Sequence, residues 1–198
     1  MRISAVMIAG AVLAGVAGPA AAQDCERLSG VAQIVCADDA LAALNARLHT
    51  RVESALDVAR AQDDDASAAV EAVRAEQASW ENDLAECAGV SEPRACLEAA
   101  YLPREAELVA SWLLEEPDAQ AAYYCGDIYA DELIALFFDT EMPAARLEYG
   151  GTVDIAIIAP SGSGSRYEGT FGRSIWLKGD AATLVWTDGD ELACEAVE

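Results

Sequence analysis

Positive charge is scarce in this chain. Twelve Lys+Arg stand against 35 Asp+Glu in 198 residues, a formal net charge of −23. Such a surface repels nucleic acid, anionic lipid headgroups and other polyanions, which excludes a phosphate-backbone binder. It draws in cationic proteins and speeds their encounter at low salt; acidity alone also serves to keep an exported protein dissolved. Histidine occurs once, as His49. One imidazole gives no His/Cys zinc set, and no Gly-x-Ser-x-Gly nucleophile motif stands in the chain for it to serve. Cys-x-x-Cys is absent. The acidic run Asp63-Asp64-Asp65 lacks the Gly and distal Glu of a calcium loop, and Asp188-Gly189-Asp190-Glu191 is no complete loop either. No metal and no cofactor is therefore expected. Paired carboxylates remain available for an acid-pair glycosidase, which turnover of peptidoglycan would reveal. Lysine, too, occurs once, at Lys178.

Long apolar runs are also missing. The single candidate, Ile3 to Val16, follows Arg2 and runs out into Gly18-Pro19-Ala20-Ala21-Ala22. That is the pattern of a secretory signal peptide cleaved near Ala22, and it is short for a bilayer span. Cys25 follows Gln23-Asp24, not the small residues of a lipid-anchor signal. The expectation is a soluble mature chain, periplasmic or secreted, with no membrane insertion. From residue 23 on it holds 11 basic and 35 acidic residues, net −24. Nothing in it sets an oligomeric state.

Six cysteines all follow this segment, and an even number in an exported chain reads as disulfides. Cys25 and Cys36 could close a local loop. Asp38 or Asp39 then caps a helix whose apolar stripe is Leu41, Leu44, Leu48, Val52, Leu56 and Ala59. His49 lies beside that stripe as a solvated residue. A second helix is expected from about Ala66 to Cys87. A third begins at Cys96, with Pro103 starting or kinking a turn inside it. A Cys87–Cys96 bridge would staple the second to the third. Pairing in this half stays open.

After Glu115-Glu116-Pro117-Asp118 the period changes. Short strands are expected at 123–125, 132–138, 144–149, 152–159, 165–169, 173–178, 182–187 and 191–195, with hairpin turns at Gly150-Gly151 and Asp188-Gly189. Eight short strands with tight turns favour a small antiparallel barrel or sandwich. A Cys125–Cys194 bridge would tie its first strand to its last and stabilise by roughly 4 kcal/mol. Beyond residue 117 the bases are Arg146, Arg166, Arg173 and Lys178, and three of them fall within 166–178 with Glu168 as the one acid between. This reads as a small basic island in an acidic body.

The helical half, through Cys25…Cys36, Leu41-x-x-Leu44, Gln77-x-x-Trp80, Cys87, Cys96-Leu97, Tyr101-x-x-Arg104 and Leu108, resembles the LprI-like N-terminal domain family. That resemblance implies a small, disulfide-stapled helical domain of exported bacterial proteins. Ala32, Asn45 and Leu84 stand where that family tends to carry Glu, Asp and Arg. The second half, through Tyr124-Cys125, Ser161-Gly162-Ser163-Gly164-Ser165-Arg166-Tyr167-Glu168, Trp176-Leu177-Lys178-Gly179-Asp180 and Cys194, resembles the MliC family of c-type lysozyme inhibitors. The Ser163–Lys178 spacing is about one residue longer than usual there, and Leu177 replaces a small polar residue. The resemblance implies no enzyme but an inhibitor. Ser163 and Lys178 would enter the lysozyme cleft and contact its catalytic acids, with Gly162, Gly164, Arg166 and Tyr167 supporting the tip. Its partner would be a cationic c-type lysozyme; the alternative is a non-inhibitory envelope-binding module built on the same barrel.

The expected architecture is α+β in two domains: a signal peptide at 1–22, a disulfide-stapled helical domain at 23–116, and an eight-stranded antiparallel β-barrel at 117–198.

Overall fold

The computed structural model describes residues 25–62, 65–126, 132–186 and 189–197. The expected leader, Asp63, Asp64, Thr187 and Asp188 lie outside these residues. Among the described residues four helices come first: α1 (Val31–Ala37), α2 (Asp39–Arg60), α3 (Ala66–Leu84) and α4 (Pro93–Trp112). Eight strands follow: β1 (Ala119–Cys125), β2 (Glu132–Phe138), β3 (Ala144–Tyr149), β4 (Thr152–Ala159), β5 (Ser165–Glu168), β6 (Ser174–Lys178), β7 (Ala181–Val185) and β8 (Glu191–Ala196).

Asp38 is the cap of α2: its carboxylate accepts from the Ala40 and Leu41 amides, at 3.0 and 3.1 Å. The Arg94 guanidinium also binds it at 2.9 Å. These hydrogen bonds, led by the one from the Leu41 amide, hold the Asp38 carboxyl below its usual range. The buried face of α2 is Leu41, Leu44, Leu48, Ala55, Leu56 and Ala59. It packs with Val73, Leu84, Leu97, Tyr101 and Leu108 of α3 and α4 in one core. Trp80 meets Tyr101 edge-on at 5.3 Å between ring centroids, and its indole N–H donates to the Ala100 carbonyl at 3.4 Å.

The sequence reading holds no helix at 31–37 and starts the first strand at 123 rather than at Ala119; three further differences concern α3 and α4. The α-helical part of α3 stops at Leu84, and Cys87 lies in a 3-10 turn, Ala85–Gly89. The tighter winding of that turn carries the chain into the Cys87–Cys96 bridge. Next, α4 begins at Pro93, three residues before Cys96, because proline in the first helical turn has no N–H to leave unpaired. Finally, Pro103 starts no turn; α4 runs through it to Trp112. Pro103 withholds an N–H from the carbonyl of Ala99, which is exposed and can be hydrated. Packing on both sides of the helix holds the segment helical despite that loss.

The strands form a closed up-and-down barrel in sequence order, every neighbour antiparallel. Closure is between β1 and β8, where Cys125 and Cys194 stand directly opposite each other and are bonded. Cys25 is bonded to Cys36. The barrel interior holds Tyr123, Leu133, Ala135, Leu147, Ala156, Tyr167, Ile175, Leu184 and Trp186. Alternation then turns Leu136, Phe138, Ala144, Ile155 and Ile157 outward. They do not meet water: Ala106, Val109 and Ala110 of α4 pack on them. Charge frames this contact. Buried Glu105 receives Arg47 at 2.7 Å, Arg47 also reaches Glu141 of the β2–β3 loop at 2.7 Å, and Arg51 joins Glu105 to Glu115. Arg146 of β3 donates to the Ser111 carbonyl at 3.0 Å.

Up-and-down order places the β2–β3, β4–β5 and β6–β7 connections on one rim and the β3–β4 and β5–β6 connections on the other. The helices flank the first rim, through Arg47 and Glu141.

Candidate functional site

Ser163 and Lys178 both belong to the helix-flanked rim. Ser163 lies in the β4–β5 loop, and Lys178 ends β6. The β5–β6 register pairs Ser165 with Leu177 and Arg166 with Trp176, so the next step brings Gly164 to Lys178. The approach is close. A Cβ on Gly164 would lie 2.0 Å from the Leu177 carbonyl oxygen and 3.4 Å from Lys178 Cγ, and Gly164 has φ +67°. Glycine is required there by contact and by conformation. Gly162 is different: its φ is not in the left-handed region, and nothing lies within 4 Å of a Cβ built on it.

The loop is closed by two hydrogen bonds. Ser161 Oγ donates to the Gly164 carbonyl at 2.8 Å. Trp176 Nε1 donates to the Ser163 carbonyl at 2.8 Å. The same indole carries Lys178 Nζ, 3.4 Å from its ring centroid. Among the described residues Lys178 forms no ion pair, and the Ser163 hydroxyl has no hydrogen-bond partner. Both side chains are exposed. The rim therefore offers one unpaired ammonium and one unpaired hydroxyl, each anchored from below.

The basic island of the sequence is only partly kept in space. Arg166 is ion-paired with Glu168 at 3.0 Å. Arg173 lies just before the far end of β6, about 17 Å from Lys178 at a strand rise of ~3.3 Å per residue. There its guanidinium sits 4.7 Å from the Trp186 ring centroid and 3.8 Å from the Asp154 carboxylate. Hairpin geometry explains the separation: residues near in sequence stand at opposite ends of a strand. Tyr167 is a core residue, 8% exposed, its ring 5.5 Å from that of Phe137. Burial, then the Asp139 carboxylate, pushes its phenol pKa up. It fixes the strand below the loop and does not reach the rim surface.

Trp176 is the residue that sequence reasoning quoted without giving it a role. Period-2 alternation on β6 already put it on the same face as Lys178.

The helical half offers a different concavity, about 550 Å³, bordered by Leu48, Trp80, Leu84 and Tyr101. Two pairs of its polar groups engage each other: Tyr101 Oη donates to Asn45 at 3.0 Å, and Gln77 donates to Glu81 at 3.1 Å. Among the described residues no group of three or more His, Cys, Asp or Glu side chains could hold a metal ion. No helix among them is long and apolar enough to cross a membrane.

The family model MliC, described as membrane-bound lysozyme-inhibitor of c-type lysozyme, matches residues 123–193. Lipoprotein LprI of Mycobacterium bovis is 32% identical over 167 residues, 82% of this chain and 79% of that protein. Lipoprotein LprI of Mycobacterium tuberculosis gives the same figures. The chain belongs to the LprI family. No solved structure matches it. In this LprI-family chain the MliC match begins in β1, ends one residue before Cys194, and contains Ser163, Gly164, Trp176 and Lys178. The likeness to LprI extends well beyond the barrel, since the aligned 167 residues exceed the 71 of the MliC match.

Proposed function

We propose that this chain is a proteinaceous inhibitor of c-type lysozyme in the bacterial cell envelope, and that it binds without turnover. The observation that carries the reading is the pair of unpaired groups on one rim, Ser163 Oγ and Lys178 Nζ, inside the stretch that the inhibitor family matches. A retaining glycosidase holds two carboxyl groups about 5–5.5 Å apart between its sugar-binding walls. An ammonium is a compact charge with three donors, suited to lie between them. A serine hydroxyl can donate to the same carboxylates. Inserted together they occupy the substrate's place and neutralise the catalytic acids.

The rest of the molecule serves encounter and support. A net charge of −24 from residue 23 onward attracts a cationic target from a distance, while the only lysine meets its acidic cleft. Residues 1–22 act as the export signal, 23–116 form an LprI-like helical domain, and 117–198 form the inhibitory barrel. The helical domain braces the rim through α4 and the Arg47–Glu141 pair.

The test is titration of c-type lysozyme activity with the mature chain and with Ser163→Ala, Lys178→Ala and the double variant. Lys178→Ala should weaken inhibition at least a hundredfold, since loss of a desolvated charged contact costs about 3 kcal/mol. Ser163→Ala should weaken it about tenfold. Raising salt should slow association by the wild-type chain. Unchanged inhibition by the double variant would sink the plug mechanism. Binding without inhibition would favour the envelope-binding module.

A further inference from the structure

We infer that Trp176 is a positioning residue that presents Lys178 and Ser163 to the target as one preformed unit, an inference that rests on the inhibitor reading. Trp176 and Lys178 occupy alternate positions of β6 and so share its outer face. On that face Trp176 stands between Arg166 of β5 and Thr183 of β7. Arg166 is taken by Glu168, which leaves the ring face to Lys178. At 3.4 Å from the centroid, the ammonium lies against the negative face of the indole. A ring touches the ammonium from one side, so N–H donors on its other side stay available to carboxylates.

The N–H edge of the indole does a second job. Its N–H fixes the Ser163 carbonyl at 2.8 Å, and with it the backbone that carries the hydroxyl. One side chain thus ties the β4–β5 loop to the end of β6. Lysine is among the side chains that lose most rotamer freedom on being fixed. With Trp176 beneath it, much of that loss occurs on folding, before the target arrives. The two donors then reach the cleft at a set spacing, and the glycine contact at Leu177 keeps the loop from drifting.

Because Lys178 is the only lysine, selective ¹³C-lysine labelling gives one side-chain signal set. In the wild-type chain the ring should shift the Lys178 ε-methylene protons upfield of free lysine. Trp176→Phe should keep most of that shift, and Trp176→Leu should abolish it. In lysozyme inhibition Trp176→Leu should weaken binding roughly five- to tenfold. Trp176→Phe, which keeps a ring and loses the N–H bond, should weaken it about threefold. In a Lys178→Ala background the effect of Trp176→Leu should fall to that smaller factor.

Free-lysine shifts in the wild-type chain would overturn the proposal, and this measurement needs no variant to fold. Equal effects of Trp176→Leu with and without Lys178 would overturn it as well. If Trp176→Leu inhibited normally while Lys178→Ala did not, the positioning role would fall and the inhibitor reading would stand. If Lys178→Ala and Ser163→Ala both inhibited normally, the inhibitor reading would fall instead.

Discussion

Two glycines two residues apart in one motif carry different weight. Gly164 sits at φ +67° with the Leu177 carbonyl where a methyl group would go; Gly162 has open space and ordinary backbone. Gly164→Ala should therefore displace the Ser163 loop and weaken inhibition about tenfold or more, on a strain of roughly 1–3 kcal/mol. Gly162→Ala should leave inhibition and stability unchanged within ~0.5 kcal/mol. Side-by-side inhibition titrations of the two variants check this. The Ser-Gly-Ser-Gly motif was visible in the sequence. Which glycine mattered was not, because the obstruction is a carbonyl on β6, 13 residues later. The basic island shows the converse error: Arg166, Arg173 and Lys178 cluster in sequence, yet a hairpin sends Arg173 to the other rim and Glu168 claims Arg166.

At the level of elements, α4 joins the two halves of the molecule. One face, Leu97, Tyr101 and Leu108, closes the helical core; another, Ala106, Val109 and Ala110, covers the outer wall of β2–β4. Small residues on the second face let the helix lie close to Phe138, which is 2% exposed. Phe138→Ala should lower the unfolding free energy by roughly 3–5 kcal/mol. Phe171→Ala should change it by no more than ~0.5 kcal/mol, since Phe171 is 96% exposed. Urea denaturation of both variants separates the cases. The helix periodicity of α2 and the strand boundaries of β2, β3 and β4 were legible from residue pattern alone. The passage of α4 through Pro103 was not, because proline's local preference lost to packing on two sides.

For the whole molecule, buried phenols set an alkaline limit. Tyr101 in the helical core and Tyr123 and Tyr167 in the barrel all have raised pKa values, chiefly from burial, with Glu81, Asp180 and Asp139 adding to the effect in turn. An unfolded tyrosine ionises near pH 10. Above that pH the unfolded chain sheds protons that the folded chain retains, so stability is fully present below about pH 10 and falls as pH climbs through the raised values. Thermal melts from pH 8 to 11 should show Tm constant at first and dropping above about 10. The barrel joins its chain ends through β1 and β8, and Cys125–Cys194 locks that seam.

The sequence by itself determined most of the element types, the eight strands along the chain and the acidic character. These depend on periodicity, turn residues and charge counts, all of which are local or additive. The resemblance to the MliC family singled out Ser163 and Lys178. Only the tertiary structure decided which groups stay unpaired. Arg166 and Arg173 are held by Glu168 and Asp154, whereas Lys178 rests on Trp176 with its ammonium free of carboxylates among the described residues. A charge becomes available or is consumed through neighbours brought in by strand register, and register is a property of the closed barrel rather than of any one segment.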